Sequence, residues 1–346
     1  MTISLEDLKA RQIDPTAPLL EVDRLVMHYK IKAGEVSAVD DVSFTVHQGE
    51  AVGLVGESGC GKTSIALSLL RLLPSNATYI SGEIRLNGED LLWLSPEEMR
   101  QRRWKEIAMV FQGAMNSWNP VYRVGDQIRE TLDTHYRGVM NYKQQREHME
   151  KLFNAVGLPS NMLDRYPHEF SGGMRQRAVI AMALACSPEL IIADEPTTAL
   201  DVIVQDQILK ELKRIQSELG MSIIYISHDI AVIAEVTDSL GVMYAGKLVE
   251  YGPTHDVFAR PRHPYAYLLL RSTPSITGPR KQLAPLEGEP PDLLHPPTGC
   301  RFHPRCPFAT EQCVTDEPPL EEIGGGHRVA CWHHEEVPEL EGALQR

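Results

Sequence analysis

Residues 51–63 read Ala51-Val52-Gly53-Leu54-Val55-Gly56-Glu57-Ser58-Gly59-Cys60-Gly61-Lys62-Thr63, and this stretch decides the fold. Its second part fits the pattern G-x4-G-K-S/T. In that pattern glycines let backbone N–H groups converge on phosphate oxygens, the lysine reaches the β- and γ-phosphates, and the hydroxyl binds Mg²⁺. The apolar run Ala51–Val55 before the loop is typical of a strand, and the sequence after the loop predicts a helix from Lys62 to Leu73. The alternative is a glycine turn beside an exposed lysine, which would need neither a strand before it nor a helix after it. We therefore interpret the loop as a nucleoside triphosphate site.

Two acidic residues follow a second apolar run. Leu190-Ile191-Ile192-Ala193 predicts a buried strand that ends in Asp194 and Glu195. Asp194 would enter the Mg²⁺ shell, and Glu195 would polarise an attacking water. In isolation the pair could equally be two acids before a helix. His228, after the run Ile223–Ile226, could touch the γ-phosphate, although a lone histidine is more often structural.

The order of these runs predicts the fold class. Short apolar runs with functional residues at their carboxyl ends indicate an α/β protein with a parallel sheet and helices on its faces. Residues 121–185 lack such runs and predict an inserted helical subdomain. Prolines concentrate at the other end of the chain, with 13 of the 24 between Pro261 and Pro319. We place a boundary near residues 260–280.

Charge and hydropathy exclude some classes of function. The formal charge of −13 argues against nucleic acid as the main partner, because phosphate binding needs a basic surface. The N-terminus lacks the basic and apolar regions of a signal peptide. The most apolar segment, Ala178 to Ala193, is interrupted by Pro188 and is not expected to cross a bilayer.

With Phe170-Ser171-Gly172-Gly173-Met174-Arg175-Gln176-Arg177 added, residues 20–260 resemble the ATP-binding cassette (ABC) family. The resemblance implies an ABC-type P-loop NTPase with a RecA-like parallel sheet core, an antiparallel β part and a helical subdomain near residues 114–185. Residues 1–260 would form this nucleotide-binding domain.

The resemblance also implies roles for single residues. Tyr29 would stack on adenine, although an aromatic residue in an N-terminal strand is as often core packing. Gln112 would contact Mg²⁺ and relay movement to a membrane subunit. Asp194, Glu195 and His228 match the magnesium aspartate, the catalytic glutamate and the switch histidine. Ser171, Gly172 and Gly173 would bind ATP held by a partner cassette, and Ala199-Leu200-Asp201 would line the dimer seam.

A narrower resemblance, to the oligopeptide and dipeptide importer ATPases, is carried by residues 56–62, 119–125 and 166–171. It implies two transmembrane permease subunits, a second and different ATPase subunit, and an extracytoplasmic binding protein, with this chain peripheral on the cytoplasmic face of the inner membrane. Relatives with similar motifs serve oligosaccharide and nickel importers, so these cargoes stay open. A soluble ABC ATPase without a transport role is a further alternative, as is an iron–sulfur redox module regulated by the cassette.

Four of the six cysteines lie near the end of the chain, at Cys300, Cys306, Cys313 and Cys331. This part, residues 261–346, resembles the C-terminal extension of the same subfamily. The spacing C-x5-C-x6-C-x17-C lacks the tight pairs of most zinc sites, and Cys306-Pro307 is similar to the Cys-Pro of ferredoxins. We expect a structural 4Fe–4S cluster, with Zn²⁺, free thiols or disulfides as alternatives. His303 and His327 could replace a ligand, but we expect them to be exposed loop histidines. We also expect the extension to lie apart from the core that holds Lys62 and Asp194, so that its loss changes ATP binding little.

Overall fold

The computed structural model describes residues 13–198, 200–272 and 286–340. These residues form two compact units. The first unit comprises residues 13–17, 47–50 and 94–224, and the second comprises residues 18–46, 51–93 and the described residues from 225 onward.

The strands and helices are numbered in chain order. The strands are β1 (Pro18–Ile31), β2 (Gly34–His47), β3 (Ala51–Val55), β4 (Ala77–Leu86), β5 (Glu89–Asp90), β6 (Ile107–Val110), β7 (Leu190–Asp194), β8 (Ser222–Ser227), β9 (Ser239–Tyr244), β10 (Lys247–Pro253), β11 (Glu321–Gly324) and β12 (His327–Val329). The helices are α1 (Lys62–Leu69), α2 (Pro96–Arg102), α3 (Val124–Tyr136), α4 (Tyr142–Ala155), α5 (Gly172–Ala183), α6 (Val202–Leu219), α7 (Ile230–Ala234), α8 (Thr254–Ala259), α9 (Pro264–Ser272) and α10 (Glu311–Thr315).

The first unit contains a parallel pair of strands and the four longest of the described helices. Strands β6 and β7 pair in parallel, and every residue of both is buried. Burial on both faces explains why these strands read as unbroken apolar runs. The chain between them is mainly helical, and two short 3₁₀ turns lie between α4 and α5. Strand β8 then leads from the first unit into the second.

The second unit contains an antiparallel sheet in the order β2-β1-β4-β5, as predicted for the antiparallel β part. Strand β1 pairs with β4 and buries Leu20, Val22 and Met27. The alternation of buried and partly exposed side chains along much of β1 reflects the two-residue period of a strand with one face on the core.

The extension completes a second sheet of the same unit. Strand β3, which leads into the glycine loop, pairs in parallel with β9, and β9 pairs antiparallel with β10. Strand β10 then pairs with β12, and β12 with β11, so the hairpin of the extension continues the sheet that carries the loop. The expectation that the extension lies apart from the core of Lys62 is therefore wrong. A short proline-rich segment buries little apolar surface by itself, and it gains stability by adding strands to an existing sheet edge.

Helix α1 is shorter than its sequence predicts. Helix α1 ends at Leu69 and not at Leu73, because Arg71 adopts a positive φ of 50° and Pro74 follows. Among the residues described, no helix combines the length and the apolar character that crossing a membrane requires.

Candidate nucleotide and cysteine sites

The glycine loop of the second unit has the geometry that its sequence predicts. Gly56 and Gly61 have φ values of 150° and 107°, which are unfavourable for other residues. A Cβ atom on Gly56 would clash with the carbonyl oxygen of Met243, and one on Gly61 would clash with that of Ala38. Ser58 and Gly59, in the middle of the loop, are exposed. The loop can therefore present its backbone N–H groups closely to a ligand.

The side chain of Lys62 is folded into this loop. Its Nζ atom donates hydrogen bonds to the carbonyl oxygens of Gly56 at 2.7 Å and Glu57 at 2.9 Å, and only 6% of the residue is exposed. Cys60 is buried beside it, with Sγ 3.4 Å from Nζ, and burial raises the pKa of this thiol. A buried ammonium group that is stabilised by carbonyl dipoles suits an anionic ligand.

Tyr29 and His228, which the sequence predicts to contact ATP, both lie in the second unit. The hydroxyl of Tyr29, on β1, lies 3.1 Å from Oγ of Ser64, directly after Thr63. His228 follows β8 and is exposed, as is Thr63. The roles of Tyr29 in adenine stacking and of His228 at the γ-phosphate stay predictions.

The first unit brings Gln112 and Glu195 together. Asp194 ends β7 and is 1% exposed, and Glu195 follows with a positive φ of 46°. Nε2 of Gln112 donates to Oε2 of Glu195 at 2.7 Å, and the hydroxyl of Thr198 donates to the same oxygen at 2.9 Å. The carboxylate is thus held by two donors, as a positioned general base requires. Our sequence reasoning missed Thr198, whose only signal is its place three residues after Glu195.

The residues predicted to face a partner cassette are at two helix N-termini of the first unit. Ser171 caps α5, and its Oγ accepts a hydrogen bond from the N–H of Met174 at 3.3 Å. Asp201 caps α6 and accepts from the N–H of Val204 at 3.0 Å. A Cβ atom on Gly173 would lie 2.8 Å from Cγ1 of Val204, so the two segments are in close contact. Ser171, Gly172 and Asp201 are exposed, and Ala199 lies outside the described residues.

The four cysteines of the extension line one cavity. Its other walls are mostly aromatic rings, prolines and histidines: His263, Pro264, Phe302, His303, Phe308, Pro318, Trp332 and His333. Within residues 13–198, 200–272 and 286–340, no three His, Cys, Asp or Glu side chains are placed to hold a metal ion. The four cysteines share one cavity, and the metal cluster that the sequence predicts stays a prediction.

Burial disfavours the thiolate form of three of these cysteines. It raises the pKa of Cys306 to about 11 and that of Cys331 to about 12, and it also raises the pKa of Cys300. The backbone N–H of His333 donates to Sγ of Cys331 at 3.3 Å. Because thiolates are the form that binds metals, a cationic group in the cavity would have to stabilise them.

The histidines near the cysteines differ from expectation. His327 is buried, and its Nε2 lies 2.7 Å from Oε1 of the fully buried Glu250, so the interpretation as an exposed loop residue is wrong. It does not line the cysteine cavity, whereas His303 and His333 do. Our sequence reasoning missed His333, which follows Cys331 by two residues.

Family comparisons agree with the motifs. A family model described as "ABC transporter" matches residues 39–198, and one described as "Oligopeptide/dipeptide transporter, C-terminal region" matches residues 249–313. The chain is 46% identical over 337 residues to the "Probable peptide ABC transporter ATP-binding protein y4tR" of Sinorhizobium fredii, covering 95% of this chain and 99% of the relative. It is 44% identical over 315 residues to the dipeptide transport ATP-binding protein DppD of Escherichia coli, covering 90% and 96%.

The fold is similar to that of a solved cassette. The ATP-binding cassette MJ0796, in a dimeric post-hydrolysis state bound to ADP and Pi, matches with a TM-score of 0.61 and 26% identity. The match covers 68% of this chain and 98% of that one. The remaining third of this chain therefore extends beyond a minimal cassette.

Proposed function

The chain belongs to the family of peptide ABC transporter ATP-binding proteins, and we propose that it drives the import of oligopeptides or dipeptides through two membrane permease subunits. As an ATPase of this family it converts ATP and water to ADP and phosphate. The observation that carries the proposal is similarity along nearly the whole chain, including the extension, to relatives named for peptide transport.

The phosphates of ATP bind at the loop from Gly56 to Thr63. Converging backbone N–H groups and the Lys62 ammonium supply the positive field that a triphosphate needs. Lys62 exchanges its hydrogen bonds to the carbonyl oxygens of Gly56 and Glu57 for phosphate oxygens, which are stronger acceptors. Tyr29 contributes the contact to the adenine ring.

Thr63, Asp194 and Gln112 would offer oxygen donors to Mg²⁺. A hydroxyl, a carboxylate and an amide oxygen are hard ligands of the kind that Mg²⁺ prefers, so the residues fit this ion. When bound, Mg²⁺ offsets negative charge on the phosphates. Glu195 accepts the proton of the attacking water, in the orientation set by Gln112 and Thr198, and His228 acts at the γ-phosphate.

Two cassettes cooperate in each catalytic cycle. Ser171, Gly172 and Gly173 complete the ATP site of a second and different ATPase subunit, and Asp201 lines the seam between them. Exposure of Ser171 and Asp201 supports this assignment, since a residue acting on a partner must be accessible. The chain acts peripherally at the cytoplasmic face of the inner membrane, together with a peptide-binding protein outside.

The cysteine cavity holds a 4Fe–4S cluster in this proposal. Four thiols around one cavity with aromatic walls support it, because soft thiolate ligands suit iron–sulfur clusters. Purified protein should be brown and should carry about four irons per chain. A colourless protein with one zinc would replace the cluster by Zn²⁺, and metal-free protein with an ordered extension would refute both.

The transport role is tested by ATP hydrolysis in the assembled complex. The chain is co-expressed with permease subunits and a second cassette, and phosphate release is measured in detergent or nanodiscs. Addition of peptide-loaded binding protein should stimulate hydrolysis, whereas a binding protein without peptide serves as the control. The proposal would be contradicted if the chain failed to co-purify with the permeases. It would also be contradicted if peptide-loaded binding protein left the rate of ATP hydrolysis unchanged.

A further inference from the structure

The extension contacts the glycine loop directly through Arg305. Nη1 of Arg305 lies 2.7 Å from Oε2 of Glu57, and Nη2 lies 3.1 Å from Oε1, so the guanidinium binds the carboxylate with two parallel hydrogen bonds. The side chain of Arg305 is 5% exposed and that of Glu57 is 25% exposed. Bidentate pairs of this kind are among the strongest polar contacts in proteins, particularly when solvent is largely excluded.

Arg305 is fixed on its own side by the extension and by neighbouring aromatic residues. Its Nε atom donates to the carbonyl oxygen of Glu287 at 2.9 Å, and Nη1 also donates to the hydroxyl of Tyr244 at 3.2 Å. The guanidinium carbon lies 5.7 Å from the ring centre of Tyr244 and 6.0 Å from that of Phe302. A side chain held from several directions can transmit the position of its segment to Glu57.

Glu57 in turn connects the extension to the phosphate-binding lysine. Its backbone N–H donates to the hydroxyl of Tyr265 at 2.9 Å, and its carbonyl oxygen accepts from Nζ of Lys62 at 2.9 Å. The same residue therefore binds Arg305 through its side chain and Lys62 through its backbone. Rotation or displacement of Glu57 would move an acceptor of Lys62 and the N–H groups beside it.

The cysteine segment determines where Arg305 lies. Arg305 ends a 3₁₀ turn that runs from His303, and Cys306 follows it directly. Phe302, which is 1% exposed, packs its ring against those of Tyr244 at 5.1 Å and Tyr265 at 5.4 Å. Unfolding of residues 300–306 would remove both the aromatic contacts and the ion pair.

We propose that Arg305 is a positioning residue of the ATP site, which acts through Glu57 and makes nucleotide affinity depend on the folding of the cysteine-bearing extension. The inference rests on the proposed role of the loop from Gly56 to Thr63 in binding ATP phosphates. By thermodynamic linkage, ATP must stabilise the extension by the same factor by which the folded extension raises ATP affinity.

The first experiment measures ATP affinity of the full chain with a fluorescent ATP analogue. Arg305→Ala should weaken binding about tenfold, within the usual range of coupling between sites. Arg305→Lys should have an intermediate effect, because it keeps the charge but loses the bidentate geometry. Glu317→Gln is the matched control: it removes another ion pair of the extension, with Lys247 of β10 at 2.5 Å, and should bind ATP like wild type. Unfolding midpoints without nucleotide establish that each variant is folded.

A double-mutant cycle separates positioning through Glu57 from general loosening of the extension. In a Glu57→Gln background, Arg305→Ala should change affinity by less than about twofold, because the partner is already altered. A tenfold loss in both backgrounds, or wild-type affinity in folded Arg305→Ala, would overturn the inference.

Lys62→Ala distinguishes failure of the inference from failure of the site assignment. If Lys62→Ala loses affinity while Arg305→Ala does not, the loop assignment stands and only the role of Arg305 is refuted. Wild-type affinity of Lys62→Ala would refute the loop assignment and the inference with it. In the reciprocal direction, ATP should slow proteolysis of the extension in wild type, and this protection should be lost in Arg305→Ala.

Discussion

Replacement of Glu195 by glutamine should abolish most ATP hydrolysis while leaving ATP binding intact. Gln112 and Thr198 both donate to Oε2 of Glu195, at 2.7 and 2.9 Å. The amide of glutamine can place its oxygen at the same position and keep both hydrogen bonds. The substitution therefore preserves the local geometry and removes only the ability to accept a proton.

Because only the proton acceptor is lost, the fall in the rate of hydrolysis should be that of losing a general base. Loss of a positioned general base lowers rates by about 10² to 10⁴. A hundredfold loss corresponds to about 2.7 kcal/mol of activation free energy, at about 1.36 kcal/mol for each factor of ten. Thr198→Val, which removes one of the two hydrogen bonds to the carboxylate, should cost about tenfold, as expected for one hydrogen bond to a charged group.

The assay compares phosphate release by complexes assembled with wild-type, Glu195→Gln and Thr198→Val chains, with ATP affinity measured in parallel. We expect the ranking wild type, Thr198→Val, Glu195→Gln for hydrolysis and equal affinities for ATP. Hydrolysis within threefold of wild type by Glu195→Gln would refute its assignment as the base. A larger loss in Thr198→Val than in Glu195→Gln would refute the argument from the two donors.

Four further substitutions test other parts of the molecule. Lys62→Ala should weaken ATP binding to the isolated chain, whereas Ser171→Ala should spare it and impair only ATP-driven pairing of cassettes, as measured by light scattering; equal losses of affinity would refute action on a partner. Cys313→Ser should remove the iron and make residues beyond 286 sensitive to protease, and unchanged iron content would exclude Cys313 as a ligand. Burial lowers the pKa of His148, whose Nε2 donates to the carbonyl oxygen of Ala185 at 2.8 Å. The unfolded chain therefore takes up this proton first, near its ordinary pKa of about 6.5, and the free energy of unfolding should fall as pH drops below that value. His148→Gln should make this fall shallower in urea titrations at pH 7 and pH 5, and an identical slope would contradict the assignment.

Local patterns predicted the elements that carry the nucleotide site. Strand β3 has the predicted bounds, and β7 extends the predicted run only to Asp194. These strands are buried on both faces, so their sequences are continuous apolar runs that end abruptly in glycine or carboxylate. The end of α1 was less predictable, because the left-handed conformation of Arg71 depends on its surroundings and not on its residue type.

Local sequence patterns did not predict the contacts between residues that are far apart in the sequence. Arg305 and Glu57 are 248 residues apart, and each reads in isolation as an ordinary charged surface residue. His327 is similar, since its burial depends on pairing with Glu250 across β12 and β10. The sequence indicated that the extension lacks a core of its own, but it did not indicate which surface the extension would cover.

Peptide uptake into proteoliposomes tests the central claim most directly. Vesicles contain the permeases, the second cassette and this chain, with ATP enclosed on the side of the cassettes and labelled dipeptide with binding protein on the other. Uptake should require ATP, occur with the wild-type chain and disappear with Glu195→Gln. Uptake that is independent of ATP, or that persists at the wild-type rate with Glu195→Gln, would contradict the account.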